Sequence, residues 1–267
     1  LVDGLEHLEL IDADLVEEAI RIHGQRFGEQ TAGHASLLTR LARARAAEGN
    51  LEQAEELSRR AVALAVATGG PNDAVHVWSL VGLGDILQSR GSFEEAESAF
   101  RQAVESAAIS EGRESPICIS ALAKLAKLLF AAWESGRGDR ELAEASRLNA
   151  ELVPLIGSIQ GETSPNYAVT LFNLGLCHKA SGANEEALLV LERAVALYET
   201  MGERFTVQLA RCIGARGAVL RQLQRPDEAE AALLRGLEIL DGSQRPEPSE
   251  RAMFLHGLAD LYQSQQR

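Results

Sequence analysis

The sequence predicts an all-helical protein built from a repeated pair of helices, and three observations support this. Ala, Leu, Glu and Arg are abundant while aromatic residues make up only 4% of the 267 residues, a balance that favours helices over strands. Apolar residues recur at the helical spacing i, i+3, i+4 and i+7. One sequence pattern also returns five times, at intervals of roughly 42 residues.

The repeated pattern consists of a turn, an acidic first helical turn and then an alanine. The alanines are separated by 42, 47, 44 and 42 residues, and the longest interval holds about five extra residues in WESGRGD. We expect these extra residues in a turn, because a turn at the edge of a repeat array tolerates insertion. The five segments are EGNLEQAEELSRRAV, RGSFEEAESAFRQAV, RGDRELAEASRLNAE, SGANEEALLVLERAV and LQRPDEAEAALLRGL. Their alanines are Ala54, Ala96, Ala143, Ala187 and Ala229.

Each segment follows an apolar helical stretch that carries a small residue at a fixed place. Two antiparallel helices joined by a tight turn approach closely only where one of them offers little side chain. Each repeat therefore combines a first helix with a small residue and a second helix with an alanine near its start. The small residues are Ala42, Gly84, Ala126, Gly175 and Gly217.

These features resemble the tetratricopeptide repeat, with Leu-Gly in the first helix, Gly at the turn and two alanines in the second helix. The interval of about 42 residues exceeds the usual 34 or so, as in the long-helix repeats of kinesin light chains. The resemblance covers residues 14–265 and implies a right-handed superhelical solenoid of antiparallel helix pairs. In the fifth repeat Gly236 replaces the second alanine, so we expect looser packing there.

The repeats predict one solenoid over residues 1–267, with incomplete units at both ends. Such a solenoid leaves an apolar face open, so we expect either further helices in a parent chain or end-to-end self-association. The units are 14–34 (partial), 35–76, 77–118, 119–167, 168–209, 210–251 and 252–267 (partial).

Composition excludes several classes of protein. A net charge of −13 and an isoelectric point near 5.0 argue against duplex DNA or an anionic membrane as the main partner. We find no apolar stretch approaching a membrane span, and the acidic start lacks the basic run of a secretory leader. Cys118, Cys177 and Cys212 are far apart and indicate a reducing compartment, so we expect a cytoplasmic protein.

Catalytic and cofactor motifs are not found in the sequence. GLGDIL lacks the third glycine of a dinucleotide-binding turn, and no Walker loop, G-x-S-x-G or H-E-x-x-H occurs. We therefore expect no enzymatic activity, no cofactor and no metal.

The resemblance implies that the first helices line a concave groove. The positions facing that groove hold seven cations against two acids, Asp85 and Asp260, although the whole chain is acidic. The cations are Arg40, Arg43, Lys124, Lys127, Lys179, Arg211 and Arg221, and the same set holds Trp78, Phe130, Phe172 and Asn173. We expect a basic groove for an acidic peptide or protein, with aromatic anchors.

Relatives that grip a terminal carboxylate use an Asn and flanking basic residues. Asn173 and Arg211 match two of these positions, whereas Lys127 and Ala123 depart from them, so the clamp is incomplete. Three alternatives stay open: pairing of the cations with acids on neighbouring helices, a regulatory domain within a larger signalling kinase or protease, and nucleic-acid binding in the same groove.

Overall fold

A computed structural model describes residues 12–242 and 248–265, which form helices and no strand. This confirms the predicted all-helical class. The helices are α1 (Ala13–Phe27), α2 (Ala32–Ala47), α3 (Leu51–Gly69), α4 (Ala74–Ser89), α5 (Phe93–Ser110), α6 (Pro116–Glu134), α7 (Asp139–Gln160), α8 (Pro165–Ala180), α9 (Asn184–Thr200), α10 (Thr206–Gln222), α11 (Pro226–Asp241) and α12 (Pro248–Ser264).

The chain divides into two compact units, 1–148 and 149–267, with the boundary inside α7. In unit 1 each first helix packs on its second helix, α2 on α3 and α4 on α5, and the first helices α2, α4 and α6 lie side by side. In unit 2 the same arrangement pairs α8 with α9 and α10 with α11, and α12 packs on α10 and α11.

The turns that join each first helix to the second helix of the same repeat share one backbone conformation. Their central residue has a positive φ, from 79° at Gly91 and Gly182 to 88° at Gly136, a conformation that suits glycine. In the turn before α5, for example, the Gly91 and Ser92 amides donate to the Gln88 and Leu87 carbonyls and satisfy the end of α4. Gln224 occupies the equivalent place before α11 with a φ of 58°, which is strained for a residue with a side chain.

The first helices α2, α4, α6 and α8 each begin at a residue whose side chain caps the helix. The side chains of Thr31, Asp73, Ser115 and Ser164 each accept a hydrogen bond from a backbone amide of the first turn. Proline follows the cap in α6 and α8, at a position where its missing amide costs nothing.

The small residues allow close helix contacts, as predicted. A Cβ placed on Gly84 would lie 2.6 Å from the Phe100 ring, and one on Gly175 would lie 2.7 Å from Leu191. Packing at Gly236 is also tight, because the buried ring of Phe254 fills the space that a Cβ would need. The expectation of looser packing there is wrong, since α12 supplies the missing volume.

The extra residues of the third repeat lie mostly in a helix and not in the turn. The turn 135–138 has four residues, whereas α6 has 19 residues against 16 in α2, α4 and α8. The prediction of an extended turn is therefore largely wrong. Ala and Trp in this stretch continue the helix without strain, so the added residues lengthen α6 first.

Helix α6 corrects a second expectation. Among the described residues it alone is long and apolar enough to cross a membrane by length and composition, although no such stretch was expected. Its apolar residues pack on α4 and α5, and 61% of it is buried inside the protein. The core helix of a soluble protein passes the same length and composition test.

Candidate functional site

The candidate site consists of two surfaces, one in each unit. The unit 1 face is the exposed side of α2, α4 and α6, and the unit 2 face is the exposed side of α8, α10 and α12. On each face the first helices are neighbours, so side chains at equivalent places form rows across them. Every predicted site residue lies on one of these two faces.

Close packing of α2 on α4 shapes the floor of the unit 1 face. The Thr39 and Ser79 hydroxyls are 3.0 Å apart and link the two helices. A Cβ on Gly82 would lie 3.0 Å from the Thr39 methyl, so glycine keeps the backbone of α4 close to α2. Trp78 stands one turn before Gly82, and its side chain is 46% exposed.

The unit 1 face carries four cations and one acid. Arg40 and Arg43 are exposed on α2, and among the described residues neither makes an ion pair. Lys124 on α6 donates to both oxygens of Asp85 on α4, at 2.8 and 3.0 Å. Lys127 is exposed one turn further along α6. The face therefore has an excess of positive charge, concentrated on α2.

Phe130 adds an apolar element at the end of α6. Its ring is half-buried and lies 5.5 Å from that of Trp133. The aromatic anchors predicted on this face are thus Trp78 on α4 and Phe130 on α6.

The unit 2 face has its cations largely paired. The Arg221 guanidinium donates to Asp260 at 2.8 Å, and this hydrogen bond lowers the pKa of the Asp260 carboxyl below its ordinary value. Arg211 lies 3.6 Å from the Glu250 carboxylate and 6.0 Å from the centre of the Phe172 ring. Sequence reasoning missed Glu250, because the reach of a side chain at the start of α12 is not visible in the repeat positions.

Asn173 and Lys179 complete the unit 2 face on α8, and both are half-buried. Lys179 lies in the last turn of its helix, where a cation is favoured by the helix dipole. The alternative that some groove cations pair with neighbouring acids therefore holds for Lys124, Arg211 and Arg221.

Some arginines on the second helices pair with acids on the next second helix. Arg59 on α3 reaches Glu95 on α5 at 2.6 Å, and Arg101 on α5 makes two hydrogen bonds to Glu144 on α7, at 2.9 and 2.7 Å. The bond to Arg101 lowers the pKa of the Glu144 carboxyl. We call these contacts between successive second helices the charge ladder.

The tetratricopeptide repeat profile matches residues 33–109 and 126–200, more than half of the chain. This chain belongs to the tetratricopeptide repeat family. Its repeats are of the kinesin-light-chain-like type, as their length predicted. Proteins built from such repeats are interaction scaffolds, and this chain is a scaffold of that kind. No curated protein sequence matches the chain.

Solved structures share the fold. BtubC (BKLC) from P. vanneervenii has a TM-score of 0.74 at 22% identity, over 90% of this chain and 93% of that one. A putative kinesin light chain from Podosopora anserina has a TM-score of 0.66 at 21% identity, over 79% and 99%. YrrB, a TPR protein with an unusual peptide-binding site, has a TM-score of 0.55 at 16% identity, over 92% and 99%. The tetratricopeptide solenoid is therefore the fold of this chain.

Proposed function

We propose that this scaffold binds an acidic, extended peptide segment of a partner protein on the unit 1 face. The observation that carries the proposal is the contrast between Arg40 and Arg43, which find no acid among the described residues, and the charge ladder on the second helices. The net charge of the whole protein is −13, so the positive charge of this face is opposite in sign to that of the protein as a whole.

Hydrophobic contacts add to this attraction. The exposed indole of Trp78 lies one turn before Gly82 on α4 and offers an apolar surface beside the contact between α2 and α4. A large apolar side chain of the peptide would cover the indole, while Arg40, Arg43 and Lys127 attract flanking carboxylates. YrrB, which shares the fold, is described as having a peptide-binding site, and this supports the assignment of a peptide as the ligand.

The unit 2 face, considered by itself, offers orienting contacts more than charge to a peptide bound on that face. Asn173 presents both a donor and acceptors, which suits the backbone of an extended peptide. Phe172 with Arg211 forms a stacked pair against which an apolar side chain can rest, and Lys179 and Arg221 flank it. Replacing Asn173 by Ala weakens binding by about 1–3 kcal/mol if partner backbone groups are left unpaired.

We also propose that the protein works in the cytoplasm. The thiols of Cys118, Cys177 and Cys212 are free and buried, as expected in a reducing compartment.

Fluorescence anisotropy with a labelled peptide that alternates Glu and Leu tests the proposal. We expect binding that weakens as salt shortens the Debye length from about 10 Å at 0.1 M to about 3 Å at 1 M. The double variant Arg40→Glu with Arg43→Glu loses binding. The control Arg60→Glu with Arg140→Glu changes the net charge equally on the exposed surface of α3 and α7 and keeps binding.

Two further measurements sharpen the result. Replacing every Glu of the peptide by Gln abolishes the salt dependence, because no charge remains to attract. Trp78→Ala weakens binding of both peptides, since the apolar contact does not depend on charge. Equal affinity of the two double variants would place the binding site away from the unit 1 face and refute the proposal.

A further inference from the structure

Helix α12 exposes an apolar stripe that is buried in every other first helix. The stripe consists of Ala252, Leu255 and Ala259, and all three are exposed, Leu255 by 50%. One repeat earlier the same positions hold Ala210, Ile213 and Gly217, all buried. The positions are also buried in α2, α4, α6 and α8, where they hold Ala35, Leu38 and Ala42; Val77, Leu80 and Gly84; Ile119, Leu122 and Ala126; and Ala168, Leu171 and Gly175.

In the complete repeats this stripe is covered by the second helix of the same pair. Leu38 and Ala42 of α2 share one buried cluster with Leu57 and Ala61 of α3. Helix α12 keeps the residue types that such a contact needs, and among the described residues no second helix packs on this stripe. The stripe is therefore built for a helix that the described chain does not place there.

Helix α1 shows the complementary half. Shifted by one period of 42 residues, Leu15 and Ala19 correspond to Leu57 and Ala61, and both helices end in the same way, at Gly28 and Gly70. Leu15 is 69% exposed and Ala19 is half-buried, whereas their counterparts are buried. Ile22, one turn further, is 44% exposed. Among the described residues, helix α1 thus packs on α2 but has no first helix against the face that holds Leu15 and Ala19.

Helix α11 carries a third unmatched position. Leu234 is 48% exposed and stands where α3 and α5 have Arg59 and Arg101, the arginines that reach the next second helix through the charge ladder. An apolar residue stands at this place on α11, as Leu148 does on α7. A neighbour there would be held by apolar contact and not by an ion pair.

We infer that a second copy of this chain docks head to tail, with its α1 covering the α12 stripe and completing the repeat. Leu255 and Ala259 of one copy then meet Leu15 and Ala19 of the next, as Leu38 and Ala42 meet Leu57 and Ala61 within unit 1. Each copy offers both halves, so the contact is heterologous and produces a closed ring or a growing chain of copies.

Analytical ultracentrifugation of the 267-residue chain tests this inference. The mean mass rises with concentration beyond that of a dimer, because each added copy leaves one open end. Leu15→Asp and Leu255→Asp each bury a charge in the contact and weaken association by at least about tenfold, while circular dichroism stays unchanged because both side chains are exposed. The matched control Leu189→Asp, at a side chain 71% exposed on α9, associates like the wild type.

Mixing the two end variants gives the sharpest result. The Leu15→Asp chain keeps an intact α12, and the Leu255→Asp chain keeps an intact α1, so together they form one junction and stop at a one-to-one dimer. A wild-type chain that stays monomeric at all concentrations overturns the inference. So does self-association of either variant at wild-type strength, which would mean that like ends meet.

Discussion

Replacing Gly84 by Ala tests the close contact between α4 and α5. The new Cβ would lie 2.6, 2.8 and 2.9 Å from three carbon atoms of the Phe100 ring, about 1 Å inside the usual contact of roughly 3.5–4.0 Å. The ring is fully buried and cannot swing aside, so the helices must separate. Overpacking of this kind costs about 1–3 kcal/mol, and the helix preference of Ala over Gly returns about 1 kcal/mol.

Because three ring atoms would clash, we take the upper part of that range, about 2–3 kcal/mol, and the net expectation for Gly84→Ala is a loss of about 1–2 kcal/mol. Gly217→Ala is the matched control, since its Cβ would lie 3.1 and 3.2 Å from Leu233, which small shifts relieve. In Gly217→Ala the greater helix preference of Ala outweighs the tight contact, so the free energy of unfolding is unchanged or higher by up to about 1 kcal/mol.

Urea unfolding followed by far-ultraviolet circular dichroism measures both changes. A second change, Phe100→Leu, restores part of the stability lost in Gly84→Ala, because the smaller side chain frees the space. The reasoning is refuted if Gly84→Ala is as stable as the wild type, or if Gly217→Ala loses more.

Three further changes probe the turns, the ion pairs and the core. Gln224→Gly relieves the positive φ before α11 and raises stability by about 0.5–1 kcal/mol, measured by thermal unfolding; a lower melting temperature would contradict it. The pKa of Glu144 is lowered chiefly by its hydrogen bond to Arg101, so the stability from this pair is full above the ordinary value of 4.5 and is lost as pH falls through the lower folded-state value. Glu144→Gln therefore flattens the acid limb of a stability–pH curve, and an unchanged limb would exclude the pair as its cause. Burial raises the pKa of the Cys177 thiol to about 12, so iodoacetamide at neutral pH modifies it only after unfolding; modification of the native protein would show that this core opens.

The repeat residues allowed the fold to be predicted because small side chains at fixed intervals have few other uses. Gly84, Gly175 and Gly217 recur beside apolar positions of the helical period. A Cβ on Gly84 or Gly175 would clash, and one on Gly217 would lie in tight contact with Leu233 at 3.1 Å. Gly236 was misread, since the compensating ring of Phe254 comes from the next helix and not from its own repeat.

The sequence predicted which residues lie on the candidate faces, but not which of them form ion pairs. Repeat alignment placed Arg40, Arg43 and Trp78 on one face, but which cations are paired depends on side-chain reach. Lys124 on α6 pairs with Asp85 on the neighbouring helix α4, and Arg211 on α10 lies close to Glu250 on α12. Such contacts join residues about 40 positions apart, where no local sequence rule operates.

The charge ladder also constrains how such a chain can evolve by duplication. The place held by Arg59 on α3 and Arg101 on α5 is held by Glu192 on α9. If a copy of α8 and α9 replaced α4 and α5, Glu192 would face Glu144 and like charges would meet. The repeats share a frame but are not interchangeable, so recombination between them is penalised and their order along the chain is preserved.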